Sequence, residues 1–182
     1  EYAYLETPVT KVLVAPYDAK QIYMAQISNL DKKYDPAIEP IRALYDEYFG
    51  GGMNSIVFQE MRETRGLAYS AWASIMPPSY LKYPYVLRTQ IATQNDKMID
   101  AVTTFNDIIN NMPESEAAFK LAKDGLTNRL RTERIIKGDI IWSYINAQDL
   151  GQNVDPRIKL YNDIQNMSLK DIVDFQKQWV KG

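Results

Sequence analysis

Apolar residues recur along the chain with two periods, and the switches between them divide it into elements. Lys11–Pro16 is a short β-like run, Tyr17-Asp18-Ala19 offers a turn, and Gln21–Ser28 alternates, led by Ile22 and Met24. Two strands are expected there. Asn29–Pro36 is polar and reads as a loop. From Pro36 the period lengthens. Ile38, Ile41, Leu44, Tyr45, Tyr48 and Phe49 fall at helical spacing, and Gly50-Gly51-Gly52 then ends the helix, because glycine is costly inside a helix and accepts positive φ. Asn54 is placed to cap a second helix over Ser55–Arg65, with Val57, Phe58 and Met61 on its apolar face and Gly66 just past its end. Arg62 and Arg65 lie in its last turn, where cations complement the helix dipole.

Period two returns at Ala68–Ile75. Alternation there sets Tyr69, Ala71, Ala73 and Ile75 on one face, and Pro77-Pro78 breaks the strand. Tyr85–Ala92 is another strand. Asn95 then stands before a helix striped by Met98, Ala101, Val102, Phe105, Ile108, Ile109 and Met112. A long helix is expected over Glu114–Arg134, and a shorter one through Ile141, Tyr144 and Ile145, ended by Gly151. Asp155-Pro156 starts another helix, and Ser168 with Asp171 resembles a capping box opening the last. A further hairpin strand fits in Glu1–Val9 or Ser79–Pro84. Strands cluster before residue 95 and helices after, without linker or repeat. The expectation is one α+β domain over residues 1–182, a largely antiparallel sheet covered by helices with a helix-rich C-terminal half.

Composition narrows the chemistry. With 46% hydrophobic and 24% charged residues the chain is ordinary globular material, and a net charge of −2 makes it a poor generic nucleic-acid binder. It contains no Cys, so a disulfide, a thiol nucleophile and a thiolate metal site are all excluded. It contains no His, which removes the commonest metal ligand and general base. No run of 18 apolar residues occurs, so no membrane span is expected. The chain begins at Glu1 without an initiating Met and reads as a mature product or an excised piece of a larger one. Its compartment is left open; a bacterial periplasm or cytoplasm both suit it.

The densest segment is Phe49–Trp72, FGGGMNSIVFQEMRETRGLAYSAW: helix, glycine turn, helix, glycine turn, strand. The three glycines suit a tight joint between helices or an anion cradle. No Lys-Ser/Thr follows them, so they form no Walker loop. Arg62 sits late in its helix and Tyr69 starts the returning strand, so the Gly66 turn can bring guanidinium and phenol together. Such a pair can hold a peptide carbonyl or stabilise an oxyanion. The plainer reading is a solvated dipole complement beside a packing tyrosine. Glu60 and Glu63 read as surface charge partners of Arg62 and Arg65. Arg129, Arg131, Arg134 and Lys137 read as a solvated stripe or a partner-facing wall. Tyr80, Tyr83 and Tyr85 around Pro84 suit an interface or plain loop anchoring.

The segment FGGGMNSIVFQEMRETRGLAYSAWA at Phe49–Ala73 resembles the signature of the pitrilysin-type M16 zinc peptidases, the mitochondrial processing peptidases and the core proteins of the respiratory bc1 complex. The resemblance implies the LuxS/MPP-like metallohydrolase fold. It also implies a non-catalytic, C-terminal-type domain of a clamshell that encloses unfolded peptide. The family holds zinc with an inverted His-x-x-Glu-His motif, which a chain without His lacks. Zinc would therefore reside in a catalytic M16 domain or subunit acting as partner, and this chain alone would be inactive. In several members an Arg and a Tyr seven residues apart reach the substrate at the zinc site. Arg62 and Tyr69 match that spacing, so the resemblance assigns them to substrate binding and transition-state contact. Gly50, Gly51, Gly52 and Gly66 become structural turns, and no residue here is assigned to metal. The sequence departs at Ile56-Val57, where the family often has Arg-Leu. The alternative within the same fold is a structural subunit of a larger assembly, without peptidase activity.

Overall fold

The computed structural model describes residues 8–16 and 18–182. The elements run β1 (Gln21–Lys33), α1 (Glu39–Phe49), α2 (Ile56–Phe58) continuing as a π-helical turn (Gln59–Thr64), β2 (Ser70–Met76) and β3 (Pro84–Gln94). A 3₁₀ turn (Asn95–Lys97) then leads into α3 (Met98–Asn110), α4 (Glu116–Thr132), α5 (Lys137–Asp149), α6 (Pro156–Ile164) and α7 (Leu169–Trp179). The architecture is α+β, with one antiparallel three-stranded sheet in the order β1-β3-β2. Gln21 pairs with Gln94 at one end, and Ile75 pairs with Leu87 across the other ladder. Because β3 slots between β1 and β2, the chain crosses the sheet through α1 before β2 forms.

One face of the sheet is dry. Ala71, Ala73, Ile75, Leu87 and Ile91 pack there against Leu44, Tyr45, Tyr48 and Phe49 of α1 and Phe105 and Ile108 of α3. Helix α1 is the hub: it touches β2 on one side and α4, α6 and α7 on the others. Buried hydroxyls in this core must find acceptors. Tyr45 donates to the Gln176 side chain of α7, whose amide donates on to the Ile109 carbonyl. Tyr48 donates to the Pro113 carbonyl at 2.9 Å and accepts the Ser115 N–H at 3.0 Å, fixing the turn before α4. Thr89 is fully buried and is the only described side chain with a buried polar atom left without a hydrogen bond.

The outer edge of β2 is closed by α1. Gly50 lies directly on it: a Cβ there would sit 2.2 Å from the Ala73 carbonyl oxygen and 2.5 Å from the Ala73 nitrogen. One turn back, Asp46 accepts the Ile75 N–H at 2.8 Å and the Ser74 hydroxyl at 3.0 Å. Arg42 bridges Asp46 at 2.7 Å, the Ile75 carbonyl at 3.0 Å and Glu39 at 2.9 Å, and Glu39 accepts the Tyr85 hydroxyl at 2.6 Å. Every partner in this ion cluster is hydrogen-bonded, the condition under which buried charge is tolerated. Burial pushes the Asp46 carboxyl up to about 6, against the Arg42 guanidinium and the two strand donors that pull it down. Burial also raises Tyr34 to about 12, with the Glu39 charge adding to it.

Several expectations are corrected. Lys11–Pro16 is irregular and solvent-facing rather than paired as a strand, with Leu13 94% exposed. Strand β1 runs through the expected loop to Lys33, past a bulge at which Asp31 adopts φ +57°; Asn29 stabilises it by accepting the Asp31 N–H on its side chain. Ser55 rather than Asn54 caps the second helix, and Ser115 caps α4. Asn95 opens the 3₁₀ turn and donates to the Ala19 carbonyl. The capping box at Ser168 and Asp171 and the Asp155-Pro156 start are both formed. Of the two segments suggested for a further strand, Ser79–Tyr83 is a turn, and most of Glu1–Val9 lies outside the described residues.

Candidate functional site

Arg62 and Tyr69 meet on one exposed turn. Helix α2 widens into the π-helical turn at Gln59–Thr64, which sends Met61 into the core and Arg62 outward. The Met61 carbonyl then accepts two amides, Leu67 at 2.8 Å and Ala68 at 3.2 Å, and the Arg62 carbonyl accepts the Gly66 N–H at 3.1 Å. Gly66 takes φ +57°, a left-handed conformation that glycine adopts without penalty. The Thr93 hydroxyl donates to the Leu67 carbonyl at 2.5 Å, and Lys97 to the Gly66 carbonyl at 3.1 Å. The turn is thus pinned to its own helix, to β3 and to the start of α3. Tyr69 joins the sheet through its N–H, donated to the Ala92 carbonyl at 2.8 Å.

Arg62 donates from Nη1 to the Tyr69 carbonyl at 3.3 Å. Its guanidinium carbon lies 5.4 Å from the Tyr69 ring centre and 5.2 Å from that of Phe58, so two aromatic faces hold the cation. Glu63 is a loose partner at 3.6 Å. Both groups face solvent: the Arg62 side chain is 45% exposed and Tyr69 is 67% exposed. Strict alternation from Ala71 would have turned Tyr69 toward the core. The phase slips instead, burying Ala68 and releasing the phenol.

Beside this corner the second face of the sheet is open along its outer strands among the described residues, while Val86 and Ala92 on the central strand are buried. Its rows are Tyr23–Ala92–Ser70, Ala25–Gln90–Trp72, Ile27–Arg88–Ser74 and Asn29–Val86–Met76. Arg88 supplies the single charge of these twelve positions and lies 5.9 Å from the Trp72 ring centre. Tyr23, Ile27 and Met76 are exposed there.

The glycines divide by geometry. Gly50 is confined by β2, while Gly51 donates its N–H to the Asp46 carbonyl at 2.7 Å and a Cβ on it would crowd that oxygen. Gly52 has open space around it. These residues make a joint between α1 and α2 rather than a loop of amides converging on one point. Arg65 pairs with Glu60 at 3.4 Å. Arg129, expected in a solvated stripe, reaches Glu47 of α1 at 2.9 Å. Tyr80 and Tyr83 stack edge to face at 6.2 Å, whereas Tyr85 is buried. The cluster of Glu39, Arg42 and Asp46 is the feature that sequence reading passed over. Its signal was present: three charges at helical spacing on a helix whose other positions are largely apolar.

The residues present do not suit zinc. The chain has neither His nor Cys, and among the described residues no group of three or more acidic side chains converges as a metal site. Nor is any described helix long and apolar enough to cross a membrane.

Comparison with known proteins agrees with this architecture. The model of the peptidase M16 inactive domain matches residues 11–126, and the chain belongs to that family. No curated protein matches it. Among solved structures it is similar to a peptidase M16 inactive domain from Pseudomonas fluorescens, at 16% identity and a TM-score of 0.72, covering 88% of this chain and 39% of that one. A protease from Helicobacter pylori aligns at 12% identity and a TM-score of 0.71, covering 91% of this chain and 40% of that one. A conserved protein from Enterococcus faecalis V583 aligns at 18% identity and a TM-score of 0.70, covering 98% and 42%. The chain therefore spans about two fifths of the length of these three relatives.

Proposed function

We propose that residues 1–182 form one non-catalytic domain of a larger M16-like zinc metalloendopeptidase, walling its substrate chamber and binding extended, unfolded peptide. The zinc and the hydrolytic step belong to a catalytic M16 domain or subunit that partners it, and this chain alone is inactive. The observation that carries the reading is the Arg62–Tyr69 pair: two exposed donors, held on a pinned turn, in a chain without His or Cys. Arg62 offers a planar, permanently charged fork to a peptide carbonyl. Tyr69 offers a hydroxyl to the scissile region, where a donor of fixed position stabilises developing negative charge. The open sheet face beside them presents aromatic and aliphatic side chains with little charge, a surface suited to peptides of varied sequence.

The test is Arg62→Ala and Tyr69→Phe in the native assembly. Each change is expected to lower kcat/KM by about 10²-fold, the scale of losing one oriented donor, with thermal stability unchanged. Unaltered kcat/KM in both variants would overturn the assignment. A structural subunit of the same fold is the competing reading, favoured by the exposure of Ile140, Ile141, Trp142, Tyr144 and Ile145 on α5. It predicts that both substitutions leave turnover by the assembly unaffected.

A further inference from the structure

The open face of the sheet carries one cation and nothing to neutralise it. Arg88 stands on the central strand β3, paired with Ile27 of β1 and Ser74 of β2. Side chains alternate along a strand, so its neighbours on this face along β3 are Val86 and Gln90. No acidic residue occupies any position of the four rows. Among the described residues no carboxylate pairs with Arg88. Its guanidinium carbon lies instead 5.9 Å from the Trp72 ring centre, at the outer reach of a cation–π contact. Arg88 is exposed and Trp72 half-buried.

This placement restricts what can cover the face. A chain laid over Tyr23, Ile27 and Met76, all exposed there, would strip water from the guanidinium between them as well. A cation taken out of water without a partner is costly, and arginine keeps its proton. The occupant must therefore bring an anion to Arg88. A carboxylate suits it, because the planar fork of the guanidinium can take both oxygens at once. Arg88 also lies within the face rather than at its rim. The Asn29–Val86–Met76 row lies beyond it on one side, and two rows lie on the other. A peptide that filled the face would run past Arg88 in both directions, so the carboxylate belongs to an Asp or Glu side chain and not to a chain end.

We infer that Arg88, oriented by Trp72, is a specificity residue of this face and selects extended peptides that carry an acidic side chain. The inference rests on the reading of this face as a peptide-binding wall, and it adds a register. Arg88 pairs with Ser74, and Tyr69 directly precedes the first residue of β2. At roughly 3.3 Å per residue, the acidic side chain would sit about five extended residues from the Tyr69 corner.

The test uses short uncharged peptides of Ala, Ser and Leu, identical except at the central position, which is Glu, Gln or Lys. Each carries a neutral fluorophore at its N-terminus and an amide at its C-terminus. A further Gln peptide has a free C-terminal carboxylate. Binding to the 182-residue chain is read by fluorescence anisotropy at low salt. The Glu peptide is expected to bind about fivefold tighter than the Gln peptide, the upper range for an exposed ion pair, and the Lys peptide more weakly than either. Arg88→Gln should abolish the difference between Glu and Gln while leaving the affinity for the Gln peptide in place. Arg88→Glu should turn the preference toward Lys. Both variants should keep the circular dichroism of the parent, since Arg88 is exposed. Equal Kd for Glu and Gln, a Glu preference that survives Arg88→Gln, or a free C-terminus that substitutes fully for Glu would each overturn the inference and leave peptide binding standing. Binding of none of the peptides would overturn the peptide-binding reading itself, and the inference with it.

Discussion

The two edges of the sheet are made of similar strands and end in opposite conditions. Along β2 the outward backbone groups are met by α1: Gly50 lies against Ala73, and Asp46 and Arg42 take up the N–H and the carbonyl of Ile75. Along β1 no described strand pairs with the outer side, and Gln21–Leu30 contains no charge. The run that could have closed it, Lys11–Pro16, is exposed to solvent and unassigned to any strand. Edges are usually blunted by charge, bulges or a covering element. Here one edge is blunted by a helix and its ion cluster, and the other, among the described residues, at its far end by Asp31 and the bulge. What distinguishes them is the element that approaches from outside, which strand pattern alone does not record.

The sharpest way to break this comparison is Gly50→Ala. Its Cβ would overlap the β2 backbone, which cannot rotate away, so a loss above about 4 kcal/mol is expected, read as loss of a cooperative urea transition. If the variant unfolds like the parent, the closed edge is not closed by contact. Asp46→Ala comes next. It strands the Ile75 amide and part of Arg42 in a buried site and should cost about 3 kcal/mol in urea unfolding.

The pH dependence of the same carboxyl sharpens the picture. Its value near 6 exceeds the ordinary 3.8, so the folded chain holds this proton more tightly than the unfolded chain does. That contribution is full below about pH 4 and is lost as pH rises through about 6, on the order of 3 kcal/mol. Comparing urea midpoints of parent and Asp46→Asn from pH 4 to 7 should show the parent falling relative to the variant. A gap constant with pH would exclude titration in that window. On the open edge the expected effects are smallest. Tyr23→Lys should change stability by less than about 0.5 kcal/mol, and a loss well beyond that would mean the β1 edge is covered.

Most of the fold was legible because core residues repeat with clean periods. The stripes of α1 and α3, the capping box at Ser168 and the Pro156 start all rest on local rules, and all formed. The failures occurred where a distant group decides the outcome. Lys11–Pro16 has the composition of a strand but pairs with no described strand. The polar stretch Asn29–Lys33 became strand because β3 lies alongside as far as Pro84. The exposure of Tyr69 depends on a one-residue slip after Gly66, which alternation cannot foresee. The proximity of Arg62 to Tyr69 was readable from the glycine turn between them, whereas the role of Arg42 and Asp46 required knowing that α1 runs along β2.

The strand order also sets how this chain must fold. Gln21 lies opposite Gln94, so β1 can dock only after the intervening chain has laid down α1, the pinned turn, β2 and β3. Strands β2 and β3, joined by the short Pro77–Tyr83 connection, close a small loop and can pair early. The long loop to β1 carries a larger closure entropy. Non-local pairing of this kind slows folding, and it makes β1 the last strand to arrive and the first to leave. A chain caught before that step exposes the central strand β3 as a raw edge, so synthesis and refolding, rather than the finished molecule, are where it is most open to aggregation.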